Sequence, residues 1–187
     1  IENDYLKKSV NKENLEFAYA ATKILKVSKK SFLNTLASFK GLAHRQELFF
    51  KYKNFNFIND SKATSLESSK FALLSNKNIL WIVGGLPKKN DKIDINLFQK
   101  KILKTFIIGK YSNFFRKQFK NKLNLHFEKN LKKTMKQVFE YIKHNASSVT
   151  FNILFSPASS SYDQYNNFVE RGNHFKKLVK NHVKKLN

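Results

Sequence analysis

From Gln46 onward, short apolar runs alternate with segments of helical periodicity, and this alternation leaves few folds open. Gln46–Tyr52 and Phe55–Ile58 are aromatic-rich, strand-like runs, and the Lys53-Asn54 gap between them is short enough for a hairpin. A helix is expected from Ser65 to Leu74, a strand over Ile79–Val83, a helix near Asp94–Leu103 and a strand over Phe106–Ile108. The rhythm continues with a helix near Ser112–Lys120, a weak strand Leu123–Phe127 and a helix Asn130–His144. Val149–Phe155 is the most continuous apolar run, and a last helix carries Phe175, Leu178, Val179 and Val183. Strands interleaved with helices in this way predict an α/β fold: a mostly parallel sheet with helices on both faces.

The first forty residues follow another pattern. Leu15, Ala18, Tyr19, Thr22 and Leu25 are spaced by three and four, which places them on one face of a helix over Asn11–Leu25, with Asn11 as N-cap. A second helix is expected from Ser28, with Phe32, Leu33, Leu36 and Phe39 on one side and Gly41 as its stop. A domain boundary is therefore expected near Gly41, between a helical piece (1–41) and an α/β domain (42–187). The chain begins with Ile1 and reads as a segment of something longer.

A formal charge of +23 raises nucleic acid or an anionic surface as partners. The kind of charge argues against a dedicated nucleic-acid face. Of 36 basic residues only Arg45, Arg116 and Arg171 are arginines, beside 22 asparagines and 19 phenylalanines. Arginine is the residue suited to bidentate phosphate and base contacts, whereas lysine spread over a surface mainly solvates it. The chain has no cysteine, no apolar run near the ~20 residues of a membrane span, and no basic-then-apolar export signal, so a cytoplasmic location is expected.

No G-x-x-x-x-G-K-[ST] phosphate loop is present, because the glycines are Gly41, Gly84, Gly85, Gly109 and Gly172. Gly84-Gly85 closes a strand and reads as a turn or as a place where backbone approaches a ligand. The histidines His126, His144, His174 and His182 lack metal-ligand spacing. His44, Arg45 and Glu47 cluster at the domain boundary, a linker ion pair or part of a site. Ser159, Ser160 and Ser161 have no nearby nucleophile-elbow pattern and serve better as hydrogen-bond donors to a carboxylate. Two polar stretches, Asn59–Thr64 and Ser156–Gly172, each follow an apolar strand, and we expect them to face one cleft at the carboxyl end of the sheet.

Read together, Asn11-x-x-Asn14, His44-Arg45-x-Glu47, Asn59-Asp60-Ser61-Lys62-Ala63-Thr64, Gly84-Gly85-x-x-Lys88 and Ser156-Pro157-Ala158-x-x-Ser161-x-Asp163-Gln164-x-x-Asn167-Phe168-x-x-Arg171-Gly172 closely resemble the bacterial Mur ligases. The resemblance is to the members that add D-glutamate. It implies an ATP- and Mg²⁺-dependent, amide-forming ligase that joins D-glutamate to UDP-N-acetylmuramoyl-L-alanine by way of an acyl phosphate. This chain would hold the end of the central ATPase domain and a Rossmann-like C-terminal domain, in a cytoplasmic monomer, and would be inactive by itself. Carried over by position, Asn11, Asn14, Arg45 and Asp60 fall at nucleotide-contacting positions. Thr64, Lys88, Ser161, Tyr162 and Phe168 fall at the D-glutamate site, Tyr162 through its backbone N–H. Lys62 falls between the two, where it would neutralise charge during catalysis. No metal ligand is carried over. Val10 stands where the family usually has histidine, Ser65 replaces a common asparagine, and Pro87 takes a place where glycine is frequent. The other readings the residues leave open are a basic nucleic-acid-binding α/β module and a related amide ligase for another amino acid.

Overall fold

The alternation beyond Gln46 resolves into one six-stranded sheet with helices on both faces. The structure is a computed structural model that describes residues 3, 5–7, 11–145 and 148–185; Val10 lies outside them. The chain divides into two units, Ile1–Leu42 and Ala43–Asn187.

In the second unit, β1 (Glu47–Tyr52) and β2 (Phe55–Asn59) form an antiparallel hairpin. The other strands are β3 (Ile79–Gly84), β4 (Ile102–Ile108), β5 (Leu125–Glu128) and β6 (Phe151–Phe155). Their order across the sheet is β1-β2-β6-β3-β4-β5, and every pairing after the hairpin is parallel. The two strands buried along their whole length, β3 and β6, lie side by side at the centre, as expected where a strand is covered on both faces.

Side chains alternate between the two faces. Ile79, Trp81 and Val83 of β3 pack with Leu66 and Leu73 of α3 (Leu66–Ser75) and with Phe115 and Phe119 of α4 (Ser112–Phe119). Leu80 and Ile82 turn the other way, to α5 (Leu131–His144) and α6 (Phe168–Val183), where Met135, Val138, Phe175 and Val179 complete a second core. Three of these helices, α3, α5 and α6, start on a side-chain cap. Ser65 and Ser68 form a reciprocal capping box, Asn130 accepts from the N–H of Lys133, and Asn167 accepts from that of Glu170.

The helix expected near Asp94–Leu103 does not form. Ile95 and Phe98 are buried, three residues apart, and one 3₁₀ turn suffices to place both; a second 3₁₀ turn spans Gln99–Lys101. Ile102 then pairs with Ile79 as the first residue of β4, so sheet pairing outweighs local helical spacing. Similarly β5 starts at Leu125, because the N–H of Leu123 still bonds back to Phe119.

The first unit contains α1 (Lys12–Ile24) and α2 (Lys29–Ser38). Ser28 caps α2 by accepting from the N–H of Ser31. Asn11 sits at the N-cap of α1, but its side chain donates to the Tyr5 carbonyl at 2.6 Å and does not cap the helix. The Asn3 amide donates to both Leu36 and Phe39 carbonyls, tying off the end of α2. No residue of α1 is buried, and Tyr19 of its apolar stripe packs on Phe32 of α2 with ring centroids 5.3 Å apart.

Candidate functional site

Strands β2, β6 and β3 are adjacent and parallel, so the loops leaving their carboxyl ends start side by side. The connection from β2 runs to α3 on one face of the sheet, and that from β6 runs to α6 on the other. Neighbouring strands whose connections part in this way open a crevice above the sheet edge.

Hydrogen bonds join the three loops. The Asp60 N–H donates to the Phe155 carbonyl at 2.8 Å, and the Gly84 N–H to the Pro157 carbonyl at 2.9 Å. Leu86 and Ser160 exchange backbone bonds of 3.1 and 3.0 Å as an isolated antiparallel bridge. The Asp91 carboxylate accepts from the Leu66 N–H at 2.7 Å, which ties the β3 loop to the start of α3. Ala158, in the β6 loop, has φ +56°, a left-handed conformation uncommon for a residue with a Cβ.

The loop Asn59–Thr64 is also gripped by the first turn of α6. Ser61 Oγ donates to the Phe168 carbonyl at 2.8 Å, while Arg171 donates from Nε to Ser61 Oγ at 3.0 Å and from Nη2 to the Ser61 carbonyl at 2.8 Å. Asn59 Nδ2 donates to the Gly172 carbonyl and lies 2.9 Å from His44 Nδ1. Lys62 Nζ sits 4.2 Å from the centroid of the Phe168 ring, within cation–π range.

The residues picked out in the sequence fall as follows. Thr64, Lys88 and Ser161 lie on the three joined loops: Thr64 half-buried, Lys88 exposed, Ser161 buried next to the Leu86–Ser160 bridge. Tyr162 is 72% exposed, and Phe168 is half-buried between Lys62 and the edge of His44. Asp60 is turned inward. Its Oδ1 accepts from the Gln46 N–H at 3.1 Å and its Oδ2 from the Ser156 hydroxyl at 2.7 Å. Arg45, next to Gln46 in sequence, is exposed, and Glu47 pairs with Lys176 of α6 at 2.6 Å while accepting from the His44 N–H. Asn11 and Asn14 belong to the first unit, Asn11 buried and Asn14 exposed.

Burial, reinforced by Lys176, holds the His44 pKa below the ordinary histidine value, against smaller opposing effects of Glu47 and Asn59. The same cause pushes Arg171 down to about 10, so it remains a cation at neutral pH. Tyr165 Oη lies 2.8 Å from His174 Nδ1, and burial raises the phenol to about 12. Hydroxyl and ammonium donors on three converging loops suit a carboxylate-bearing ligand. Among the described residues no group of three His, Cys, Asp or Glu side chains could hold a metal ion. Mg²⁺ is ordinarily held by one or two carboxylates together with substrate phosphates, so the described residues offer it no cage of their own. Arg45, an exposed cation, does suit a nucleotide phosphate.

Two residues went unassigned in the sequence. Ser156 holds the Asp60 carboxylate, and Arg171 holds the backbone and side chain of Ser61. The signal for Arg171 was its rarity: one of three arginines among 36 basic residues, placed inside a serine- and asparagine-rich motif.

The second unit is thus a doubly wound α/β domain of Rossmann-like type, with polar loops gathered at a switch point. Sequence similarity then relates the chain to ligases of the Mur type. It is 40% identical over 171 residues to the UDP-N-acetylmuramoylalanine–D-glutamate ligase of Wolbachia pipientis wMel, covering 91% of this chain and 33% of that protein. The ligase of the same name from Rickettsia felis is 35% identical over 184 residues, covering 98% of this chain and 41% of its own length. The chain thus spans about a third of the curated relatives it matches. No family model matches it. Among solved structures, the UDP-N-acetylmuramate-alanine ligase MurC of Thermotoga maritima shares the fold with a TM-score of 0.63 at 16% identity, over 94% of this chain and 39% of that one.

Proposed function

We propose that this chain is the amino-acid-binding portion of an ATP-dependent ligase that adds D-glutamate to UDP-N-acetylmuramoyl-L-alanine in peptidoglycan precursor synthesis. The observation that carries the reading is the bonding of the β2, β3 and β6 loops, which brings the segments bearing Thr64, Lys88 and Ser161 to one sheet edge. In this reading Lys88 and the two hydroxyls hold the carboxylates of D-glutamate, with the Tyr162 N–H and the Phe168 ring completing the site. Fixing both carboxylates leaves the amine with one approach, and orientation of this kind supplies much of the rate in a bimolecular ligation. Lys62, held over Phe168, neutralises the charge that gathers where the amine meets its partner. Arg45 and Asp60 are the nucleotide-contacting residues of the second unit, and Asn11 and Asn14 those of the first. ATP supplies activation of the acceptor carboxylate. Mg²⁺ is held outside the described residues. The location is cytoplasmic, and among the described residues no helix is long and apolar enough to cross a membrane.

The test is ligation by the intact protein that carries these residues. Phosphate release should require both D-glutamate and the muramoyl-alanine nucleotide, and L-glutamate should not replace the D-enantiomer. Lys88→Ala should raise KM for D-glutamate and lower kcat/KM by on the order of tenfold to a hundredfold, the loss of one charge-assisted contact. Unchanged constants in that variant would remove Lys88 from the site, and phosphate release indifferent to D-glutamate would overturn the reading as a whole.

A further inference from the structure

Arg171 is the only lysine or arginine among the described residues that is buried, at 1% exposure. It forms no ion pair with any described Asp or Glu. Both donors that are satisfied, Nε and Nη2, go to the neutral atoms of Ser61. The third nitrogen, Nη1, is buried without a partner. It points to where the β3 and β6 loops meet: a Cβ added to Gly85 would lie 3.2 Å from Nη1 and closer still to Ser159 Oγ and the Ser160 carbonyl. Asp163 raises the affinity of Arg171 for its proton at a distance, but its carboxylate is engaged by Gln164 and makes no ion pair with the guanidinium.

A buried cation without a counter-charge is costly, and proteins ordinarily place a carboxylate against it. Here the chain places hydroxyls, carbonyls and a glycine. The charge therefore projects upward into the loops that carry Lys62, Thr64, Lys88 and Ser161, where water screens it less than at an open surface.

We propose that Arg171 sets the charge specificity of this site. Its Nε and Nη2 fix Ser61 and with it the Asn59–Thr64 loop, while its unpaired charge beneath the β3 and β6 loops favours an amino acid with a second carboxylate over the corresponding amide. The inference rests on the amino-acid site proposed above. Arg171 is a positioning and specificity residue that touches the ligand through neither nitrogen edge.

Calorimetric titration of the 187-residue chain with D-glutamate and D-glutamine tests it, the quantity read being the ratio of their dissociation constants. Arg171→Gln keeps a donor for Ser61 and removes the charge, so the ratio should fall by on the order of tenfold. Arg171→Lys should keep the preference. Ser61→Ala breaks the clamp and keeps the charge, so it should weaken both ligands and leave the ratio in place. Independently of any change at Arg171, Ser159→Asp installs a counter-charge next to Nη1 and should abolish the preference, while Ser159→Asn should retain it. Equal ratios in the unaltered chain and in a folded Arg171→Gln variant would overturn the proposal. If that variant does not fold, equal ratios for Ser159→Asp and Ser159→Asn overturn it. Glutarate and its monoamide separate the two levels of inference. Binding of glutarate without D-glutamate removes the amino-acid reading and leaves the charge role standing on the same ratio. Binding of neither by the unaltered chain removes both.

Discussion

The carboxylate of Asp60 accepts a 2.7 Å hydrogen bond from the hydroxyl of Ser156, 96 residues further along the chain. Ser156 in turn lies 3.0 Å from Ser69 Oγ, so one serine links the loop after β2, the loop after β6 and helix α3. All three groups are buried. Ser156→Ala removes a hydrogen-bond donor from a buried carboxylate, and the expected loss is about 1–3 kcal/mol of unfolding free energy. Urea unfolding followed by circular dichroism measures it. An unchanged midpoint would show that solvent or a neighbour replaces the hydroxyl without cost.

Gly172 lies against the imidazole of His44. A Cβ at this position would run into His44 Nδ1 and come within 3.0 Å of Asn59 Nδ2. Gly172→Ala should therefore destabilise the second unit by about 1–3 kcal/mol, although alanine is the better helix former. The double variant Gly172→Ala with His44→Asn should recover part of the loss, because asparagine is smaller and tolerates the left-handed backbone of residue 44, φ +63°. Thermal unfolding of the two variants side by side gives the comparison.

Stability should depend on pH at both ends of the range. Burial depresses the pKa of His44 and of His174 in the folded chain, whereas in the unfolded chain both titrate near 6.5. Between the folded and unfolded values the unfolded chain binds more protons, so the contribution is complete above about pH 7.5 and is lost as the pH falls from about 6.5 through the lower folded values. Tyr165 works in the opposite sense. Its pKa is raised to about 12, so its contribution is complete below the unfolded value of 10.0 and declines as the pH rises towards 12. His44→Asn and His174→Gln should each flatten the acid limb, and Tyr165→Phe the alkaline limb, in urea midpoints measured across pH.

Lys62 is held by an aromatic face. Phe168→Leu removes the ring 4.2 Å from Nζ and should cost about 0.5–1 kcal/mol. The more telling measurement is nuclear magnetic resonance of the lysine side chain, labelled at the methylene next to Nζ. Lys62 should show an upfield ring-current shift that vanishes in Phe168→Leu and persists in Phe168→Tyr. Identical spectra in all three proteins would dissociate the pair.

Where hydrophobic period and burial agreed, the fold was readable in the residues. The apolar run ending at Phe155 became the central strand β6, and the stripe Leu131, Met135, Val138, Phe139, Ile142 became the buried face of α5. Ser28, Ser65 and Asn130 marked helix starts because their side chains cap locally, within three residues. Asp94–Leu103 misled for the converse reason: its helical spacing is local, while the partner that decides its shape, Ile79, lies in another strand. The candidate site divides along the same line. The family resemblance picked out Lys62, Thr64, Lys88 and Ser161, and the loops that bear them are joined by hydrogen bonds. It could not disclose that Asp60 turns inward to Ser156 or that Arg171 clamps Ser61, since both contacts join residues about a hundred positions apart. For Asp60 the resemblance implies a nucleotide contact; its oxygens each also hold a donor from within the chain, and a carboxylate oxygen can accept more than one.

The place of β6 sets the order in which this domain can assemble. It is the last strand in sequence, yet it inserts between β2 and β3, the first two parallel strands. Until residue 155 is available, β2 and β3 cannot be bridged, and each presents an open ladder of backbone donors and acceptors to solvent. A nascent chain must hold two half-sheets apart through nearly a hundred residues of synthesis, which favours slow closure and makes the unfinished domain a target for edge-to-edge association. Cuts upstream of β6 should thus yield aggregating products, while one placed after α6 should spare the sheet.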